Sequence, residues 1–170
     1  MGGMLAMGFF WLGTIDNPDP AIPILAPINP MTGNPDIGKN ELDFSMFMPV
    51  FINEVFCTFI FVSVILMVKG RDTAGDRQGI AAAMTVVLTL LCCIASTNKF
   101  GAAFNPAVGV TLTTNAFLWM GNQHRLYHYI LGYTFGPLTG GFAAGVFHNV
   151  HAKAFGDHDK SVDTSRDKDQ

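Results

Sequence analysis

Three apolar runs, each about as long as a bilayer is thick, decide what this chain can become. A hydrocarbon core about 30 Å thick takes about 20 helical residues at 1.5 Å rise each. Residues 47–68, FMPVFINEVFCTFIFVSVILMV, meet that length and are broken by Asn53 and Glu54. Residues 79–96, GIAAAMTVVLTLLCCIAS, carry no charge, and residues 127–150, YHYILGYTFGPLTGGFAAGVFHNV, contain no Asp, Glu, Lys or Arg. Charged residues make up 14% of the 170, against about 25% in an average soluble domain. The runs predict an all-α integral membrane protein with three transmembrane helices in a lipid bilayer, rather than a soluble bundle.

The other segments divide by composition. Residues 1–15, including MGGMLAMGFFWLG, are apolar but too short to span and lack the basic flank of a secretory signal. Phe9, Phe10 and Trp11 are residue types that settle at a membrane boundary or against a partner. Residues 16–45 form a Pro-rich connector, with prolines at 18, 20, 23, 27, 30 and 35 and Pro49 just beyond it, so an extended surface segment is expected there. Residues 46–152 form the membrane module. Residues 153–170 are a polar charged tail with nothing to bury, expected to be disordered on its own.

Three crossings place the 69–77 loop and the tail on one face, which collects Lys69, Arg71, Arg77, Lys153, Lys160, Arg166 and Lys168. The opposite face has Lys39, Lys99 and Arg125. By the positive-inside rule, the first face is expected to be cytoplasmic, or the matrix side in an organelle. The net charge of −3 gives no sign of a nucleic-acid partner. Cys57, Cys92 and Cys93 all lie inside apolar runs, where they behave as small hydrophobes.

Between the second and third runs lies GAAFNPAVGVTLTTNAFLWM, whose apolar part is too short to cross. Asn105 is a good N-cap, and Pro106 suits the first helical position, where no N–H is needed. The pair begins a helix at Asn105, Pro106 and Ala107. An ordinary surface helix could start this way. If KFGAAF dips into the membrane first, its backbone must be buried in protein or face water, and the half-helix points its positive end at the bilayer centre.

With these residues in view, the chain resembles the second half of the aquaporin and glycerol-channel superfamily of major intrinsic proteins. The resemblance covers about residues 45–152 and rests on NEVFCTFIFV, GAAFNPA and YTFGPLTGGFAAGVFH in that order. It implies half of an aquaporin-like fold: three transmembrane helices plus one re-entrant NPA half-helix. It also implies that Glu54, with Thr58, supports the re-entrant loop. Two departures bear on function. The family pairs two Asn-Pro-Ala starts in inverted halves, and this chain carries one. Val108 stands where the resemblance implies the Arg of the selectivity constriction, so the fixed charge and donors of that ring are missing.

The remaining candidates are structural. Gly132, Gly136 and Gly140, with Pro137, and then Gly141 with Gly145, have the spacing that lets helix backbones approach in lipid. His124 with His128 and His148 with His151 flank opposite ends of one span, so the two pairs cannot share a ligand; interfacial hydrogen bonding is the simpler reading. No catalytic set, cofactor site or metal cluster is expected, and the chain does not read as an enzyme. Two functions compete. One is a structural or accessory subunit, with other membrane subunits of a hetero-oligomeric complex as partners; a respiratory-type assembly would place it in the mitochondrial inner membrane. The other is a water or small-solute channel assembled with a second half-channel chain.

Overall fold

A computed structural model describes residue 25 and residues 44–69, 79–97, 99–120 and 127–166. Four helices account for nearly all of them: α1 (Phe44–Lys69), α2 (Gly79–Ser96), α3 (Pro106–Met120) and α4 (Tyr127–Arg166). The described residues contain no strand. Segments Phe47–Lys69, Gly79–Ser96 and Tyr129–Ala154 are long and apolar enough to cross a membrane. Helix α3 has 15 residues, a length of about 22 Å, and cannot. The described residues therefore form an all-helical membrane module with three spans and one short helix.

Helices α1 and α4 form the main packing pair, with α3 laid on α4 and α2 on α1. A glycine row sets the first contact. A Cβ on Gly132 would meet Phe47 and Val50, one on Gly136 would meet Phe51 and Glu54, and one on Gly140 would meet Val55, Thr58 and Phe59. Each four-residue step along α4 matches a four-residue step in the same sense along α1. The two helices thus run in the same direction, as the first and third of three crossings must. Absent side chains on α4 bring the backbones together, which supplies dispersion contact where lipid offers no hydrophobic drive. Phe59 and Phe147 extend the contact edge to face, with centroids 5.8 Å apart.

Two features differ from the sequence-based expectations. Leu25, inside the connector expected on the surface, is 5% exposed and packs with Val50, Ala103, Tyr129 and Tyr133. Its Cδ1 lies 3.2 Å from where a Gly101 Cβ would stand, so it fills the space left by that missing side chain. The polar tail is helical as far as Arg166. A helix nucleated by the preceding span can propagate into polar sequence without the cost of starting afresh. The apolar segment 1–15, connector residues 16–24 and 26–43, and residues 167–170 lie outside the described residues.

Truncating Leu25 to alanine is expected to lower stability by about 2–4 kcal/mol, the range for a buried leucine. Denaturant unfolding of the detergent-solubilised chain measures it, and a change below about 0.5 kcal/mol, typical of surface sites, would show that Leu25 is not a core residue.

Candidate functional site: a half-helix held inside the membrane

The segment joining α2 to α3 is built from the end of α2 outward. Thr97 closes α2: its N–H donates to the carbonyl oxygens of Cys93 at 3.0 Å and Ile94 at 3.2 Å, and its Oγ1 donates to that of Ile94 at 3.0 Å. The Phe100 N–H then donates to the Thr97 carbonyl at 2.8 Å, tightening the turn. The Phe100 carbonyl in turn accepts from the Tyr133 hydroxyl on α4. Tyr133 is fully buried, so its hydroxyl needs such a partner.

Two residues place the chain in the left-handed region, Gly101 at φ 77° and Phe104 at φ 48°. Glycine adopts that conformation without steric cost, whereas for phenylalanine it costs on the order of 1–3 kcal/mol. The geometry here shows what offsets that cost. The Ala103 N–H donates to Glu54 Oε1 at 2.8 Å, and the adjacent Phe104 N–H donates to Oε2 at 2.9 Å. Successive N–H groups turned to one side form an anion-binding nest, and the anion is the chain's own carboxylate. Glu54 is 0% exposed. It stands seven residues past the start of the span, roughly 10 Å into the apolar layer at 1.5 Å per residue. The loop it holds is therefore inside the membrane too.

Helix α3 starts from that anchored loop. Asn105 Oδ1 accepts the Ala107 N–H at 2.9 Å, and the Asn105 carbonyl accepts the Gly109 N–H at 3.0 Å, the first bond of the helical ladder. Pro106 occupies the first helical position. Asn105 and Ala107 are exposed, and Val108 is 38% exposed, so the half-helix start lies open within the described structure.

Gly109 fixes how α3 crosses α4. A Cβ there would fall 2.7 Å from the Tyr133 carbonyl carbon and closer still to its oxygen. That carbonyl is also the one Pro137, four residues on, cannot serve, because proline has no N–H. The oxygen thus lacks its usual helical partner and faces the backbone of α3 instead.

The other residues singled out in the sequence are more dispersed. Thr58 is buried one turn beyond Glu54, its Oγ1 without a hydrogen-bond partner among the described residues and its Cβ 3.0 Å from where a Gly140 Cβ would stand. Gly141 and Gly145 have nothing within 4 Å of an added Cβ. His148 is half-buried and His151 exposed on α4, with the His151 ring 6.0 Å from that of Phe147. His124 and the His128 side chain lie outside what is described. No cluster of three or more metal-ligating side chains occurs among the described residues.

Sequence reading missed Tyr133, Gly109, Gly101 and Leu25. Two of them carried a signal. A hydroxyl-bearing ring in the middle of a span needs a partner, and a glycine inside a helix gives up about 1 kcal/mol of propensity unless a close approach requires it.

Three spans with a short helix starting from a loop anchored at membrane depth define an integral membrane protein of the re-entrant half-helix class. The sequence profile of the major intrinsic protein family matches residues 25–148. The chain belongs to that family, the aquaporin superfamily, whose members are channels rather than enzymes. No curated protein and no solved structure matches it.

Proposed function

We propose that this chain is an aquaporin-like half-module acting as a structural subunit of a larger membrane assembly. The observation that carries the reading is the open half-helix start. Asn105, Ala107 and Val108 are uncovered at a depth where lipid cannot satisfy a polar backbone or an amide. That side must be met by protein or water, and in this account protein contributed by another chain covers it. Helix α2 is compatible with the same reading: within the described structure it packs on α1 alone and presents Ile80, Met84, Leu88 and Leu91 to lipid or to a partner span. In this account Glu54, with Thr58, supports the loop, and Asn105, Pro106 and Ala107 are a packing device. Val108 supplies neither the charge nor the donors that a selectivity ring needs. Membership of a respiratory-type assembly in the mitochondrial inner membrane, with the tail on the matrix side, completes the proposal.

A second reading is favoured by one feature. The Glu54 anchor keeps the half-helix aimed inward, as a pore would require, and a heterologous half-length chain could supply the opposing half. Osmotic swelling of proteoliposomes containing the chain together with the membrane partners that co-purify with it in mild detergent distinguishes the two. The structural reading predicts rates equal to empty vesicles. Swelling that disappears in Asn105→Asp, where a carboxylate puts charge at the constriction, would overturn it in favour of the channel.

A further inference from the structure

Helix α2 touches the rest of the described chain through α1 alone, and two thiols lie at that contact. Cys57 of α1 and Cys93 of α2 are both free and both 5% exposed. Cys93 Sγ donates to the Cys57 carbonyl oxygen at 3.7 Å, and Cys57 Sγ lies 3.9 Å from Asn53 Oδ1. The Cys93 thiol thus reaches the backbone of Cys57 itself across the contact between the two helices. Beside them runs a groove of about 520 Å³ between the two helices, lined mainly by apolar side chains such as Phe56, Ile60 and Leu88. Cys92 also borders the groove but is exposed. None of the three cysteines contributes to the loop anchor or the half-helix start.

We propose that Cys57 and Cys93 are a modification site, a thiol pair that a hydroperoxide converts to a disulfide tying α2 to α1. In the first step one thiol attacks hydrogen peroxide; an S–O bond forms, the O–O bond breaks, and water leaves. In the second step the other thiol displaces the hydroxyl of this sulfenic acid; an S–S bond forms, the S–O bond breaks, and a second water carries away the thiol proton. The thiols give up two electrons and the peroxide takes them, so nothing further is needed. The surroundings favour this product over a bound soft metal ion. A disulfide is neutral, whereas a bis-thiolate complex of a monovalent ion would leave a net charge in an apolar groove. The groove gives a small polar oxidant access to sulfurs that the rest of the chain covers. Oxidation would turn the contact between α2 and the module from packing into a covalent bond.

The test uses the full chain in mild detergent, treated with hydrogen peroxide, denatured, alkylated and digested with trypsin. Lys69, Arg71 and Arg77 separate the two cysteine peptides, so a link between them is read directly by mass. The expected product joins the Cys57 peptide to the peptide holding Cys92 and Cys93, is reversed by dithiothreitol, and leaves one alkylated thiol. Cys92→Ser is expected to form the link to the same extent, and Cys93→Ser to abolish it. Alkylated Cys57 in the treated wild-type chain would overturn the proposal without reference to any variant. So would a link that depends on Cys92 or joins two copies.

Discussion

Replacing Glu54 with leucine is expected to cost up to about 2–6 kcal/mol of stability, because the buried Ala103 N–H and the part-buried Phe104 N–H lose their acceptor at about 1–3 kcal/mol each. Both donors stand in an irregular loop, where no ladder offers a substitute. Glu54→Gln is expected to fall between leucine and wild type, since its single amide oxygen can serve one N–H while the amide NH₂ confronts the other. Unfolding in detergent, followed by tryptophan fluorescence, gives the order, and hydrogen exchange locates the effect. The Ala103 and Phe104 amides should lose protection while the middle of α1 keeps it. Wild-type protection at both amides in Glu54→Leu would mean that something other than this carboxylate holds the loop.

The second large effect is expected at Gly109. An added methyl group would stand under 3.0 Å from Tyr133 backbone atoms, which cannot swing aside as a flexible side chain can. Gly109→Ala must push α3 away from α4, and overpacking of this kind typically costs about 1–3 kcal/mol. Gly109→Val adds a branched side chain in the same place and is expected to prevent accumulation of folded protein. Gly145→Ala is the internal control. Its Cβ meets nothing within 4 Å, so in the isolated chain the better helix propensity of alanine should add up to about 1 kcal/mol. Equal responses at 109 and 145 would show that the α3–α4 crossing is not set by backbone contact.

The two glycine rows show where sequence reading stops. Gly132, Gly136 and Gly140 share their spacing with Gly141 and Gly145, and spacing alone does not say which row meets a neighbour. The answer lies in the rotation of α4 about its axis, which depends on tertiary contacts at Glu54, Val55 and Tyr133. The spans were legible because each run matches the bilayer in length and lacks charge, a constraint that acts residue by residue. The helix start at Asn105 was legible because capping is local chemistry. The partner of Glu54 was not, since the residues donating to it lie 49 and 50 positions away. Leu25 was hidden for the opposite reason: the prolines around it describe a connector, and one leucine among them gives no periodic signal.

The strain at Phe104 links the anchor to the half-helix. Its left-handed backbone turns the Ala103 and Phe104 N–H groups onto one carboxylate, and the next residue, Asn105, begins the helix. Loop, anchor and helix start therefore form a single device. Its presence does not require a pore, because it also begins α3, the helix whose Gly109 packs on the Tyr133 backbone of α4.

Native mass spectrometry of the protein, extracted in mild detergent from its own membrane, tests the central claim most directly. The account predicts a stoichiometric assembly with other, non-identical membrane subunits that cover the half-helix start. A stable lone chain, or an oligomer of this chain alone, would contradict it.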